Sequence, residues 1–168
     1  METIIHSTTG LFHVIMALIA MITGTIVITK TKGTRLHVAI GYTYFFCMLT
    51  MNLSSFMLYG LLGHFGPFHV AAIFSLLTLL GGMIPVFFRK KIKSWQRMHG
   101  TFMYYSVVGL YAAFFSEVLT RIPGQSFSGM VILASVAVTI IGIVLFNRLK
   151  FKWFSVRKST GTQKVNFS

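Results

Sequence analysis

Six histidines lie along a chain of 168 residues that holds no Asp and only two Glu, Glu2 and Glu117. Imidazole is therefore the group present in number that can ligate a metal, pass a proton or grip a porphyrin iron near neutral pH. Four of the six fall in duplicated surroundings. Gly10-Leu11-Phe12-His13-Val14 is echoed by Gly66-Pro67-Phe68-His69-Val70, and Arg35-Leu36-His37 by Arg97-Met98-His99. The second motif is followed each time by a Tyr five residues after the His, Tyr42 and Tyr104. Matched motifs in matched order mark an internal repeat.

Three kinds of chemistry suit such histidines. Haem b held axially needs a neutral imidazole on each face of the ring, a slot between helices and an apolar shell. His13 with His69, and His37 with His99, would supply two such sites. Arg35 and Arg97 each precede an inner His by two residues and, with Lys93, could neutralise porphyrin propionates. The rule that orients membrane helices accounts for those cations as well. Zinc or another divalent metal prefers three or four ligands. Only one end could gather them, because His6 is two helical turns before His13 and His64 is five residues before His69. In the third role, imidazoles near helix starts cap backbone groups or meet lipid headgroups. Carboxylate pairs for acid-base hydrolysis or calcium cages are lacking.

The elements that position these residues are membrane spans. Hydrophobic residues make up 55% of the chain, charged residues 10%, and the mean hydropathy is +0.77. The net charge of +13 would suggest nucleic acid in a soluble protein. Here the basic residues cluster between long uncharged runs, so nucleic acid is not an expected partner and membrane lipid is. The pattern predicts helices over Thr9 to Ile28, two within residues 36–88 broken between Tyr59 and Pro67, one from Met98 to Glu117, and one from Met130 to Phe146. Each suffices to cross a hydrocarbon layer about 30 Å thick. Residues 148–168 read as a basic tail at the membrane surface. Cys47 falls in an apolar run and reads as packing. Glu117 and Arg121, four apart, read as a local ion pair.

Of the 15 basic residues only Arg121 lies on one side of these spans, and the rest share the other. By the positive-inside rule the amino terminus is outside and the tail cytoplasmic. Residues 1–147 then form one domain: a repeat over about 6–58, a second over about 64–118, and a fifth helix. Two hairpins running the same way imply a pseudo-twofold axis along the membrane normal. In a four-helix bundle this makes the helices carrying each His pair diagonal partners. His13 and His69 fall near the outer face, His37 and His99 near the inner, about 20 Å apart along the helices. Gly24 and Gly41 could clear space beside a macrocycle, or serve close helix packing.

The His with downstream Gly-x-Phe-His in the first helix, Arg35-x-His-x-x-x-Gly-Tyr42, Phe65-x-x-x-His69, Arg97-x-His99 and Arg121-x-Pro123 resemble a bacterial family of small multi-helix membrane proteins filed as a domain of unknown function. The resemblance covers about His6 to Pro123 and implies a multi-pass protein of the plasma membrane. The architecture also resembles the two-haem transmembrane cytochromes b that reduce ferric iron or regenerate ascorbate. The expectation is thus a membrane cytochrome, an oxidoreductase carrying electrons between a cytoplasmic-side and an outer-side bis-His haem, with a small-molecule or protein donor and acceptor. The alternative is a non-enzymatic transporter or accessory protein whose His pairs bind metal or relay protons. Either is compatible with a homodimer.

Overall fold

A computed structural model of the chain describes residues 8–58 and 65–155. They form five helices, α1 (Thr8–Thr29), α2 (Arg35–Ser55), α3 (Pro67–Phe87), α4 (Trp95–Leu119) and α5 (Phe127–Ser155), and among the described residues there is no strand. All five are long and apolar enough to cross a membrane. Their outer faces carry bare apolar side chains, among them Ile22, Phe74, Leu77 and Ile132, each about three-fifths exposed. Only a lipid surround makes such a surface tolerable. The protein is an all-α, multi-pass membrane protein.

Local chemistry sets the helix ends. Thr34 stands in extended backbone before α2, and its Oγ1 accepts a hydrogen bond of 3.1 Å from the backbone N–H of His37, satisfying one of the orphan donors of a first turn. Gly33, at φ 81°, turns the chain through the left-handed region that other residues resist. Pro67 opens α3, where its missing N–H costs nothing. Within the spans, Thr23, Thr25, Thr29, Thr50 and Thr78 donate their hydroxyls to carbonyls three or four residues back. No donor is thereby wasted on lipid.

The first four helices close a ring in chain order, α1 against α2, α2 against α3, α3 against α4 and α4 against α1, with α5 laid on the outside of α4. So α1 and α3 are diagonal, as are α2 and α4. Ala20, Tyr44, Met48, Leu79, Val107 and Leu110 fill the centre. There the Tyr44 hydroxyl donates across the diagonal to Ser106 Oγ at 2.8 Å, and Ser106 donates onward to the Met103 carbonyl at 2.8 Å. Tyr44 and Ser106 are 62 residues apart, the same interval that separates His37 from His99. The contact therefore joins two positions that stand at the same interval as the paired histidines, as an axis relating two repeats would require. Ties away from the centre are polar too. Thr25 meets Tyr111 at 2.7 Å, and Tyr104 donates to the Gly142 carbonyl at 2.8 Å, fastening α5 to α4.

Two expectations need amendment. The fifth helix continues to Ser155 instead of stopping at Phe146, so the stretch read as the start of the tail is helical. Charge ends a hydrophobic run but does not end a helix, since Arg and Lys are good helix formers. Trp153 also gives the extension something to pack on, with its ring 5.7 Å from that of Tyr104 and 6.4 Å from that of Phe146. Gly24, considered for a cofactor slot, is filled space. A Cβ there would stand 2.8 Å from the Tyr44 ring and 3.0 Å from Val107. Gly41 is the opposite, with nothing within 4 Å of where its Cβ would lie.

Candidate functional site

The four repeat histidines divide between the two ends of the bundle. At the end that carries the basic α1–α2 and α3–α4 connections, His37 sits in the first turn of α2 and His99 in the second turn of α4. The α1–α2 turn that carries Lys32 lies at this end as well. The diagonal relation of α2 and α4 thus puts both histidines at one end of the bundle.

His99 has a fixed tautomer. Its Nδ1 lies 2.8 Å from the carbonyl oxygen of Gly82 in α3. A carbonyl only accepts, so the proton is on Nδ1 and the lone pair is on Nε2. Gly82 can offer that oxygen at short range because it has no side chain; a Cβ there would stand 2.6 Å from Met103 Sδ. Three residues on, Pro85 interrupts the backbone hydrogen-bond ladder of α3 and loosens the same turn. His37 complements this arrangement. Its Nδ1 is buried and has no hydrogen-bond partner, which is costly for a polar atom unless something arrives to meet it. One turn on along α2, Gly41 keeps the space open.

At the opposite end the two histidines behave differently from one another. His13 Nδ1 lies 3.0 Å from Ser54 Oγ in the last turn of α2, and Ser54 spends its own proton on the Met51 carbonyl at 2.8 Å. The serine oxygen therefore accepts, which again leaves Nε2 as the lone pair. Glu117, near the end of α4, lies at this same end of the bundle. It also holds Arg121 at 3.0 Å, the ion pair expected from their spacing.

His69 is 5% exposed, and its Nδ1 accepts the backbone N–H of Gly66 at 3.1 Å. That is a capping bond from the third residue of a helix to the residue before it. The ring is held between Phe65, stacked at 5.0 Å, and Phe56 at 6.4 Å. With its lone pair turned to Gly66, neutral His69 carries its proton on Nε2 and cannot ligate through that atom. His69→Leu should accordingly destabilise the protein by about 1 kcal/mol in detergent unfolding, and His69→Gln, which can reach back to the same N–H, should recover most of it.

His6 and His64 lie outside the described residues. Among the described residues no three His, Cys, Asp or Glu side chains gather to hold an ion. Arg35 and Arg97 are exposed at the basic end. Three contributors escaped the sequence reading: Gly82, Ser54 and Lys32. Each acts through a partner from another helix or loop, which spacing along one segment does not reveal, although Gly82 three residues before an in-helix Pro85 is a visible irregularity.

A family model described as a predicted membrane protein, DUF2306, matches residues 10–150. The chain belongs to the DUF2306 family. The match takes in all four repeat histidines and nearly the whole of the five spans. No curated protein and no solved structure matches the chain. Membership thus fixes the protein's membrane setting and leaves its chemistry to be argued from the histidines.

Proposed function

We propose that the protein is a b-type haem cytochrome that carries electrons across the bilayer, with a haem held between His37 and His99 on the cytoplasmic side. One observation carries this reading: His99 donates Nδ1–H to the Gly82 carbonyl and so presents Nε2, oriented and unprotonated. A backbone carbonyl bonded to the far nitrogen is the usual support of an imidazole that ligates a metal. Across the diagonal, the buried, unpartnered His37 Nδ1 and the open space at Gly41 fit the other half of such a site. When bound, haem supplies a one-electron couple at its iron.

The chain's own residues do the rest. Gly82 keeps the His99 ring from turning, Lys32 adds positive charge nearby, and the apolar ring of helices excludes water. At the outer end His13 presents its Nε2 in the same way, supported by Ser54. His69 would have to leave Gly66 before a second haem could take it as a ligand. The cytoplasmic assignment of the inner pair follows from the basic loops on that side.

A second reading is favoured by the outer end, which His13 shares with the carboxylate of Glu117. Such a pair suits a non-enzymatic transporter or accessory protein that relays protons or binds zinc or another divalent metal. An absorption spectrum of the full-length protein, purified in detergent from haem-replete cells, separates the two. The cytochrome should show a Soret band that sharpens and shifts on dithionite reduction. A colourless preparation that also fails to take up added haemin would sink the haem reading.

A further inference from the structure

A positive charge is fixed at the end of the bundle that carries His37 and His99, and no carboxylate among the described residues answers it. Lys32 leaves the α1–α2 turn and folds back, so that Nζ donates to the carbonyls of Val27 at 2.6 Å and Ile28 at 2.7 Å. It also sits 4.6 Å from the centroid of the Trp153 ring. Carbonyls at a helix end and the face of an indole offer partial negative charge, never a whole one. The one carboxylate among the described residues is Glu117, paired with Arg121 at the other end of the bundle, and the sequence contains no Asp.

The consequence is visible in the ammonium itself. Withdrawal from water pushes its pKa down to about 8, as happens to a cation that loses hydration and gains no counter-ion. Its charge reaches both His37 and His99. Lys32 thus stands at the same end of the bundle as His37 and His99.

We propose that Lys32 is the anion-binding residue of the inner site and that its ammonium takes a carboxylate of the haem, the propionate. This rests on reading His37 and His99 as the haem ligands. The lysine has three N–H donors in rotation, so a carboxylate oxygen replaces one carbonyl while the other stays bonded.

The test compares haemin with haemin dimethyl ester, which has the same iron and ring but no carboxylate. Full-length protein in detergent is titrated with each and followed at the Soret band. Wild type should bind haemin about tenfold more tightly than the ester, the size of one charge-assisted hydrogen bond. Lys32→Met should lose that preference by weakening haemin alone, with ester affinity unchanged; Lys32→Arg and Arg35→Met should keep it. Unchanged ester binding also reports that the Lys32→Met variant is folded. Equal binding of the two porphyrins by wild type, or a preference that survives Lys32→Met, overturns the role of Lys32 and leaves the haem site standing. Binding of neither porphyrin by wild type overturns the haem site and this role with it.

Discussion

His99→Ala is expected to abolish the reduced low-spin haem spectrum of the inner site, because among the described residues His99 is the imidazole at that end whose Nδ1 is held by a carbonyl, leaving Nε2 unprotonated. The same change orphans the Gly82 carbonyl, whose bond to Nδ1 is 2.8 Å long, so a loss of about 1–3 kcal/mol of stability should accompany it. The two effects can be pulled apart. His99→Gln places an amide donor near the same carbonyl and should recover stability without recovering the spectrum. His37→Leu should do something His99→Ala cannot, namely lose the spectrum at no cost to the ligand-free fold, since it removes a buried nitrogen that has no partner. Retention of a bis-His spectrum in His99→Ala would refute the assignment of that ligand.

Gly24→Val is expected to be a severe insult to the fold that leaves every histidine in place. A Cβ at Gly24 meets the Tyr44 ring at 2.8 Å and Val107 at 3.0 Å. Tyr44 is 1% exposed and its hydroxyl is bonded to Ser106 at 2.8 Å, so the ring has nowhere to go. Overpacking of this kind costs about 1–3 kcal/mol, to be read as a lower midpoint of unfolding in mixed detergent. Gly41→Val is the informative contrast. With nothing within 4 Å of its Cβ, the substitution should leave the unfolding midpoint unchanged. If the space beside His37 receives a macrocycle, the same substitution should cut haem occupancy severely. An unfolding midpoint that drops for Gly41→Val as it does for Gly24→Val would contradict the contrast drawn between the two glycines.

Much of the architecture could be read from residue order because two periodic signals coincide. Uncharged runs of the right length located the spans to within a few residues, and the Gly-x-Phe-His and Arg-x-His echoes located the repeat. Together they specified diagonal partners, which the ring of helices and the Tyr44–Ser106 contact reproduce. The end of α5 was misjudged because hydropathy records where lipid stops, while Trp153 and its neighbours keep the helix going past that boundary.

The histidine environments were less legible. Repeat logic treats His13 and His69 as equals, yet one donates to a hydroxyl of another helix and the other accepts from its own helix start. The difference traces to local geometry. Gly66 and Pro67 make a tight helix start within reach of the His69 ring, whereas Gly10, the equivalent glycine, already lies inside α1. Lys32 looked like one topological cation among several. Only the fold back onto α1 and the approach of Trp153 single it out.

The contact between Tyr44 and Ser106 also bears on how such a chain could have arisen. Had a single hairpin once assembled with an identical twin, whatever residue stood at this spot would have faced itself, and two phenols would overfill a gap that one phenol and one small hydroxyl now fill. Joining the copies into one gene frees the halves to diverge at the seam. The same freedom lets one descendant of an ancestral imidazole become a structural peg while its sibling stays available for chemistry.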